Sequence, residues 1–251
     1  MVKVSMQIEK VVAITGASSG IGLAMAQLFL KWGFNVALLV RNPKSFSCEP
    51  QALGRLLVIK GDVRSTEDLG HFYKAIHERW QRLDGVIANA GVAIPQEVGE
   101  VSESSFDVTM DTNVKGVFFT VKLALPYLET GAAIVLVSSI QAQRGAGAWA
   151  VYGASKAAVR SLGRSFAQAL GGKGVRVNVL SPGVTDTPIL NKFGFDAETL
   201  ASVLDGVKAA TPLQRLGTPI DIAEAAYFLL CEQSAFITGA DLQVDGGLAQ
   251  I

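Results

Sequence analysis

Short apolar runs alternate with longer helical patterns along the chain, and this alternation constrains the fold more than any other feature of the sequence. The apolar runs are rich in leucine and β-branched residues and are nearly continuous, as in strands that a sheet buries on both faces. They cover residues 11–15, 36–40, 56–59, 85–88, 134–137, 175–180 and 242–244. The pattern predicts an α/β fold with a parallel seven-stranded sheet and helices on both faces.

Helical patterns fill the intervals between these runs. They cover roughly residues 21–32, 66–82, 106–128, 151–170 and 220–232, and Pro126 should end or kink the third of them. Residues 188–219 escape the alternation and are expected to form an insertion over the sheet edge, near the substrate. No repeat, low-complexity tract or shift in composition marks a boundary, so we expect a single domain over residues 1–251.

The composition excludes several classes of protein. The chain carries 22 basic and 22 acidic residues, so no overall field gathers nucleic acid or anionic lipid. Small polar and turn-forming residues interrupt the uncharged stretch 11–30, which favours a strand, a turn and a helix over a membrane span. Cys48 and Cys231 lie far apart, and the two histidines are too few for a His-rich site, so neither a disulfide scaffold nor a metal is expected. The N-terminus lacks the pattern of a secretory signal, and we expect a cytoplasmic protein.

A glycine-rich turn follows the first apolar run and reads Thr15-Gly16-Ala17-Ser18-Ser19-Gly20-Ile21-Gly22. Its GxxxGxG spacing lets the backbone turn sharply and approach a pyrophosphate, while the next helix offers free N–H donors to phosphate. The Gly-Lys-Ser/Thr ending of a mononucleotide P-loop is absent. An ordinary strand-to-helix turn is the alternative, but the position favours a Rossmann-type, doubly wound dinucleotide-binding fold. We expect cofactor contacts from Gly16, Ser18, Ser19, Gly20, Ile21 and Gly22.

The residues that follow the second apolar run, 36–40, indicate which of the two nicotinamide dinucleotides the chain binds. A carboxylate there accepts hydrogen bonds from the adenosine ribose of NAD(H), whereas a basic side chain accommodates the 2′-phosphate of NADP(H). This chain has Val40-Arg41-Asn42 at that point, without a carboxylate. Arg41, helped by Ser18, therefore favours NADP(H); NAD(H) stays possible, and a solvated loop arginine is the alternative.

Tyr152 and Lys156 begin the fourth helical pattern, four residues apart. This separation corresponds to about 6 Å of rise and about 40° of rotation, so the two side chains share one face of the helix. The pKa of a phenol is about 10, and a neighbouring ammonium lowers it. The pair is a candidate general acid and base at an alcohol or carbonyl oxygen, although this spacing alone is common on helix surfaces.

Further motifs occur in order with the glycine turn and the Tyr/Lys pair. They are Asn89-Ala90-Gly91, Asn113-Val114-Lys115-Gly116, Ser138-Ser139, Pro182-Gly183 and Asp245-Gly246-Gly247. Together these motifs resemble the short-chain dehydrogenase/reductase family, and the resemblance covers essentially the whole chain. It implies an NAD(P)-dependent enzyme in which a hydride moves between the nicotinamide and the substrate carbon.

The resemblance implies a role for each residue of the site. Tyr152 would exchange a proton with the substrate oxygen, and Ser139, thirteen residues earlier, would polarise that oxygen. Lys156 would lower the pKa of Tyr152 and hold the nicotinamide ribose, and Asn113 would anchor a water that links Lys156 to solvent. Ser138 competes with Ser139 for the polarising role, but the spacing favours Ser139.

More cofactor contacts are implied at the ends of the other strands. Asp62 and Val63 resemble the family's adenine-contacting pair, although Asp62 could instead cap the next helix. The family's form of the Asn89 motif often begins with a second asparagine, and Ala88 in its place puts one strand-stabilising side-chain bond in doubt. The expected contacts in this group are Asp62, Val63, Asn89, Ala90, Gly91, Tyr152, Lys156, Pro182, Gly183, Val184 and Thr187.

We therefore expect an oxidoreductase that interconverts a ketone or aldehyde and an alcohol with NADP(H). An NAD(H)-dependent alcohol dehydrogenase of the same family and a non-catalytic protein that senses the dinucleotide are the alternatives. Sugar-nucleotide epimerases and dehydratases also use a Tyr/Lys pair, but their chains are typically longer. The resemblance also implies a homotetramer or homodimer.

The substrate pocket should be walled by residues 94–97, 140–149 and 188–212, which follow the carboxyl ends of strands. These segments mix apolar residues with Gln141, Gln143 and Arg144, which permits a moderately polar or aromatic small-molecule substrate. Trp149 lies either on the approach to the site or in the core or an interface.

Overall fold

The predicted strands form one parallel sheet, which confirms the Rossmann-type expectation. The computed structural model describes residues 10–43 and 50–251, so Cys48 lies outside the described residues. The strands are β1 (Val11–Thr15), β2 (Asn35–Val40), β3 (Leu56–Lys60), β4 (Leu83–Ala88), β5 (Leu128–Val137), β6 (Arg176–Pro182) and β7 (Asp241–Val244). Their order across the sheet is β3-β2-β1-β4-β5-β6-β7, and all neighbours are parallel.

Helices cover both faces of this sheet. In the described part of the chain they are α1 (Gly20–Lys31), α2 (Thr66–Trp80), α3 (Glu103–Met110), α4 (Gly116–Ala124), α5 (Ala150–Gly171), α6 (Ala197–Ala210) and α7 (Pro219–Leu230). Helices α2, α4 and α5 pack on one face through a core that includes Phe72, Val121 and Val159. Helices α1 and α7 pack on the other face, where Phe29 and Ala226 are buried. None of the described helices is both long and apolar enough to cross a membrane.

The predicted single helix over residues 106–128 is wrong, because the chain forms two helices there. A π-helical turn of five residues, Asp111–Lys115, separates α3 from α4. A π-helical turn adds one residue to a helix while the backbone stays helical on both sides of it. The sequence pattern therefore indicates one continuous helix. Pro126 lies in the 3₁₀ turn Leu125–Tyr127 that follows α4, consistent with the predicted helix end.

The segment 188–219 contains helix α6, which was not predicted from the sequence. None of the residues of α6 is buried, but Leu200, Val203, Leu204 and Val207 follow the i, i+3, i+4, i+7 spacing of an amphipathic helix, so a signal for α6 was available in the sequence. The segment joins β6 to α7, and α7 begins with a capping box formed by Thr218 and Asp221. It thus follows the carboxyl end of β6, on the edge of the sheet where the neighbouring strands also end.

Candidate active site

A cleft of about 350 Å³ lies at the carboxyl ends of the strands, where β1 and β4 are neighbours and the strand order reverses. Open α/β sheets bind their ligands at such a point. The cleft brings together every residue predicted to contact the cofactor, namely Gly16, Ser18, Ser19, Gly20, Ile21, Gly22, Arg41, Asp62, Val63, Asn89, Ala90, Gly91, Tyr152, Lys156, Pro182, Gly183, Val184 and Thr187. Ser139 lines the same cleft, and Asn113 is fully buried.

The glycine turn between β1 and α1 has the shape that a pyrophosphate needs. Gly16 has a φ of +71°, and a Cβ there would lie 2.7 Å from the Cα of Ala90, so only glycine fits. The N-cap residue of α1, Ser19, makes no side-chain capping bond, and the first turn carries no acidic residue. The N-terminal end of α1 therefore keeps its positive dipole end and offers N–H donors to an anion. These observations fit a bound dinucleotide.

Hydrogen bonds fix the glycine turn to the end of β4. The Asn89 side chain donates from Nδ2 to the carbonyl oxygens of Thr15, at 3.0 Å, and of Gly16, at 3.1 Å. In return the Thr15 hydroxyl accepts from the backbone N–H groups of Asn89, at 3.2 Å, and Ala90, at 3.1 Å. Thr15 and Asn89 therefore join β1 to β4 although Ala88 replaces the expected asparagine.

Two arginines and one carboxylate form the end of the cleft next to β2 and β3. Arg64 donates from Nε and Nη2 to both carboxylate oxygens of Asp62, with the shortest contact at 2.7 Å. The hydrogen bonds from Arg64 lower the pKa of Asp62, and the charge of Arg41 adds to this effect. Burial raises the pKa, but the net result is a pKa below the usual value of an aspartate. Asp62 thus stays ionised and paired, and the three side chains carry a net charge of +1. We call them the adenosine end.

Tyr152 and Ser139 meet in the cleft at the ends of α5 and β5. Burial raises the pKa of the Tyr152 phenol, and its interaction with the Ser139 hydroxyl acts in the opposite, weaker sense. The Ser139 oxygen also accepts a hydrogen bond from the backbone N–H of Gln141, at 3.2 Å, which orients it at the start of the following 3₁₀ turn. Two hydroxyl groups are therefore held side by side, both uncharged at neutral pH.

Lys156 is buried and donates from Nζ to the carbonyl oxygen of Val137, 2.9 Å away. Burial lowers its pKa to about 8. Its Nζ lies 5.7 Å from the centroid of the Tyr152 ring. We expected Lys156 to lower the pKa of Tyr152, but the net direction is upward, because the loss of solvent around the phenol dominates. Ser138, the competitor of Ser139, instead donates to the backbone carbonyl of Lys156, at 2.8 Å, which is a structural role.

Asn113 sits in the π-helical turn and connects three segments. Its Oδ1 accepts from the backbone N–H of Val92, at 2.8 Å, and its Nδ2 donates to the Val92 carbonyl, at 2.9 Å, and to the Ser155 hydroxyl, at 3.0 Å. A Cβ built on Gly91 would lie 3.2 Å from Asn113 Oδ1 and 3.3 Å from Lys156 Nζ. The two polar groups therefore flank the same small space beside Gly91.

Apolar side chains dominate the part of the cleft beyond Tyr152. We call this part the substrate end, and it is lined by Ile140, Gln141, Trp149, Pro188, Ile189, Leu190 and Phe193. The segments 140–149 and 188–212 contribute to it as expected. The expectation for residues 94–97 is wrong, since none of them is among the described residues that line the cleft. One of them contacts the wall segment 140–149 directly, since the N–H of Gln96 donates to the Ala148 carbonyl at 2.8 Å.

Arg64 lines the cleft but was not predicted from the sequence, and Phe193 lies in the predicted segment 188–212 but was not singled out within it. Arg64 directly follows the Asp62-Val63 pair, so a basic residue at that point was an available signal. Phe193 lies in the irregular segment before α6, where no periodicity indicates which side chains turn inward.

The sequence matches a family model described as Enoyl-(Acyl carrier protein) reductase over residues 16–249. Oxidoreductase asL5 of Sarocladium schorii is 37% identical over 248 residues, which cover 96% of this chain and 96% of that protein. A crystal structure of Short-chain dehydrogenase/reductase SDR:Glucose/ribitol dehydrogenase from Brucella melitensis has a TM-score of 0.87 and 34% identity and covers 95% of this chain and 96% of its own. The 3-ketoacyl-(acyl-carrier-protein) reductase of Brucella melitensis, complexed with NADH, has a TM-score of 0.85 and 31% identity and covers 96% and 99%.

These matches span nearly the full length of the chain and agree with the sheet order and the cleft described above. The protein is therefore an NAD(P)-dependent oxidoreductase that acts on alcohol or ketone substrates. Its sequence, its sheet and its cleft together establish that this chain belongs to the short-chain dehydrogenase/reductase family.

Proposed function

We propose that this protein interconverts a ketone or aldehyde and an alcohol, prefers NADP(H), and uses Tyr152 as the general acid and base. The observation that carries the proposal is the position of Tyr152, which contacts Ser139 and shares a helix face with Lys156 inside the cleft at the carboxyl ends of the strands. Cells keep NADP(H) largely reduced, so reduction of the carbonyl is the expected direction.

The side chains of the cleft divide the work of the reaction among them. The bound nicotinamide would supply the hydride that the carbonyl carbon accepts. Ser139 donates a hydrogen bond that polarises the carbonyl oxygen, and Tyr152 donates the proton that turns this oxygen into a hydroxyl. The raised pKa of Tyr152 keeps the phenol protonated at neutral pH, as an acid for reduction needs to be.

Lys156 and Asn113 are proposed to replace the proton that Tyr152 gives away. Both groups flank the space beside Gly91, which suits a water that passes protons inward. The pKa of Lys156, about 8, lies close enough to neutral pH for this lysine to exchange protons as well as to hold the nicotinamide ribose by its charge.

The preference for NADP(H) is supported by the charges of the adenosine end. Arg41 follows β2, where a carboxylate would instead accept hydrogen bonds from the ribose of NAD(H). Arg64 neutralises Asp62, so the carboxylate opposes a 2′-phosphate less than it would alone. NAD(H)-dependent oxidation is the second candidate, and the NADH complex of the structural neighbour supports it for that neighbour.

The alternative from another class, a non-catalytic dinucleotide sensor, is disfavoured by the matches, which support an NAD(P)-dependent oxidoreductase. Such a protein would keep the cradle of the glycine turn and would need no proton donor at the nicotinamide end. The complete set of Ser139, Tyr152 and Lys156 in one cleft favours an enzyme.

The test is an assay of the purified protein with a panel of ketones, aldehydes and alcohols, followed by the absorbance of the reduced nicotinamide, with NADPH and NADH in turn. Tyr152→Phe should lower turnover by about 100-fold or more, because the proton donor is lost, while NADPH binding followed by fluorescence persists. Tyr127→Phe, whose ring stacks on Tyr73 away from the cleft, is the matched control and should keep full turnover. Unchanged turnover in Tyr152→Phe would remove Tyr152 from the mechanism.

We also propose that the protein is a homotetramer or homodimer in a cytoplasmic setting. Phe106 and Phe118 are respectively 45% and 38% exposed on α3 and α4, and Phe118 contacts Phe166 of α5, with ring centroids 5.6 Å apart. An apolar surface of this kind is typical of an interface between subunits. Light scattering should give a multiple of the 26.4 kDa chain mass, and a stable monomer at micromolar concentration would reject the proposal.

A further inference from the structure

The charged side chains of the cleft are confined to two places. Among the described residues that line it, Arg41, Asp62 and Arg64 form the adenosine end, and Lys156 lies beside Tyr152. Arg41 follows β2, and the segment with Ile140 and Gln141 follows β5, which is three strands and thus about 14 Å away from β2 across the sheet. Among the described residues, none of the side chains that line the substrate end is charged.

Polar residues that border the substrate end turn away from it. Gln143 donates from Nε2 to the carboxylate of Asp241 on β7, at 3.0 Å. Arg144 reaches the carbonyl oxygen of Leu248 near the C-terminus, at 3.4 Å. The polar side chain that remains in this wall is Gln141, which is uncharged. An anionic substrate group would lose its hydration there without gaining a partner of opposite charge.

Aromatic rings form the corner of the substrate end next to Tyr152. The Trp149 ring packs edge to face on the Tyr152 ring, with centroids 5.6 Å apart, and edge to face on Phe193, with centroids 5.0 Å apart. Trp149 precedes α5 and Phe193 follows the carboxyl end of β6, so two separate segments supply this corner. Flat rings gain more from such a surface than flexible chains do, because they bury apolar area without losing rotamer freedom.

From this distribution we propose that the substrate is an uncharged cyclic or aromatic ketone, or the matching secondary alcohol, whose ring packs against Trp149 and Phe193. The inference rests on the proposed function and adds the substrate class to it. In the reaction the carbonyl carbon gains a hydride from NADPH, its oxygen gains the proton of Tyr152, and NADP⁺ is released. A ring held against Trp149 lies next to Tyr152, where this proton transfer takes place.

The experiment compares two pairs of ketones, one chosen for a difference in charge and the other for a difference in shape. Ethyl acetoacetate and acetoacetate differ in charge, and 2-tetralone and 2-decanone have the same number of carbon atoms but differ in shape. The kcat/KM with the preferred dinucleotide should be about tenfold or more higher for the neutral member of the first pair and for the ring of the second.

Variants of the aromatic corner identify the residues responsible. Trp149→Ala and Phe193→Ala should make the enzyme about tenfold or more less efficient with 2-tetralone, mainly by raising KM, while Trp149→Phe keeps most of the wild-type efficiency. Phe195→Ala is the matched control, since Phe195 is 47% exposed and lies outside the cleft. Binding of 2-tetralone to the NADP⁺ complex should quench tryptophan fluorescence in the wild type, and Trp149→Phe should remove that quenching, which tests the contact independently of turnover.

The outcomes separate the two proposals. Activity that favours acetoacetate or 2-decanone, or Trp149 and Phe193 variants that behave like Phe195→Ala, would overturn the substrate class and leave the reductase function in place. A protein that turns over neither these four compounds nor any member of the wider carbonyl and alcohol panel would overturn both.

Discussion

The Nε of Arg160 lies 2.8 Å from Oδ2 of Asp241, an ion pair that joins helix α5, which carries Tyr152 and Lys156, to the last strand of the sheet. The contact is an ion pair and not a hydrogen bond, because Arg160 Nε has no hydrogen-bond partner. The same carboxylate accepts from the Ser181 hydroxyl, at 2.6 Å, and from Gln143 Nε2. Asp241 therefore connects α5, β6, β7 and the loop after Ser139 without touching the cleft.

Asp241→Ala should lower the free energy of unfolding by about 1 to 3 kcal/mol, since Ser181 is buried and loses its acceptor. It should also lower kcat more than it raises KM for the dinucleotide, because α5 and the loop after Ser139 lose their common support. Urea unfolding and steady-state kinetics measure the two effects.

Asp205→Ala is the control for this prediction, since its ion pair with Lys208 is exposed on α6. It should leave both quantities unchanged. Full stability and unaltered kcat in Asp241→Ala would show that the ion pair does not position the site.

Arg41→Asp should raise the KM for NADPH and improve the use of NADH. Loss of a charged partner for the 2′-phosphate should lower the ratio of kcat/KM for NADPH over NADH about tenfold or more. Steady-state kinetics with both dinucleotides check this, and an unaltered ratio would exclude Arg41 as a determinant of specificity.

Arg64 is expected to act on the same ratio through Asp62. Arg64→Ala leaves the Asp62 carboxylate without its ion pair, so it should weaken NADPH binding more than NADH binding. Removal of both side chains, in Arg64→Ala with Asp62→Ala, should restore much of the NADPH preference. If the double variant binds NADPH as weakly as the single one, Arg64 contacts the cofactor itself rather than neutralising Asp62.

The low pKa of Lys156 makes stability depend on pH in a defined direction. The pKa of this group is about 8 in the folded protein, and that of an unfolded lysine is about 10.4. Between these values the folded protein binds fewer protons at this site, so its free energy of unfolding rises with pH. Relative to Lys156→Met, the wild type should gain about 1.5 kcal/mol between roughly pH 8 and pH 9.5.

Urea unfolding of both proteins over this range measures the effect, and their difference cancels the other groups that titrate there. A difference that stays flat or falls with pH would mean that Lys156 keeps an ordinary lysine pKa in the fold.

The sequence was sufficient for the sheet because each strand is a short run of core residues bounded by turn chemistry. It was also sufficient to predict that the expected cofactor-binding residues share one cleft, since residues at the carboxyl ends of parallel strands meet at the same edge. The break between α3 and α4 was missed because one added residue shifts the phase of the helical pattern without interrupting the run of helix-compatible residues. The net pKa of Tyr152 was also missed, because desolvation depends on burial that spacing does not report.

The substrate end was the least predictable part. Its composition suggested a mixed polar wall, yet Gln143 and Arg144 bond to Asp241 and Leu248 instead. These partners lie 98 and 104 positions away along the chain, so no local pattern carries the information. Phe193, which is proposed to contact the substrate ring, comes from a segment before α6 that has no helical or strand periodicity.

The π-helical turn Asp111–Lys115 sets how α4 is rotated about its axis relative to α3. One residue advances a regular helix by about 100°, so deleting a single position here would swing Asn113 off Val92 and turn the apolar side of α4 away from the sheet. A one-residue length change is harmless in most surface loops. In this chain it would disrupt both the proposed proton route through Asn113 and the packing of α4 on the sheet. The length of this turn is therefore as constrained as the identity of Asn113.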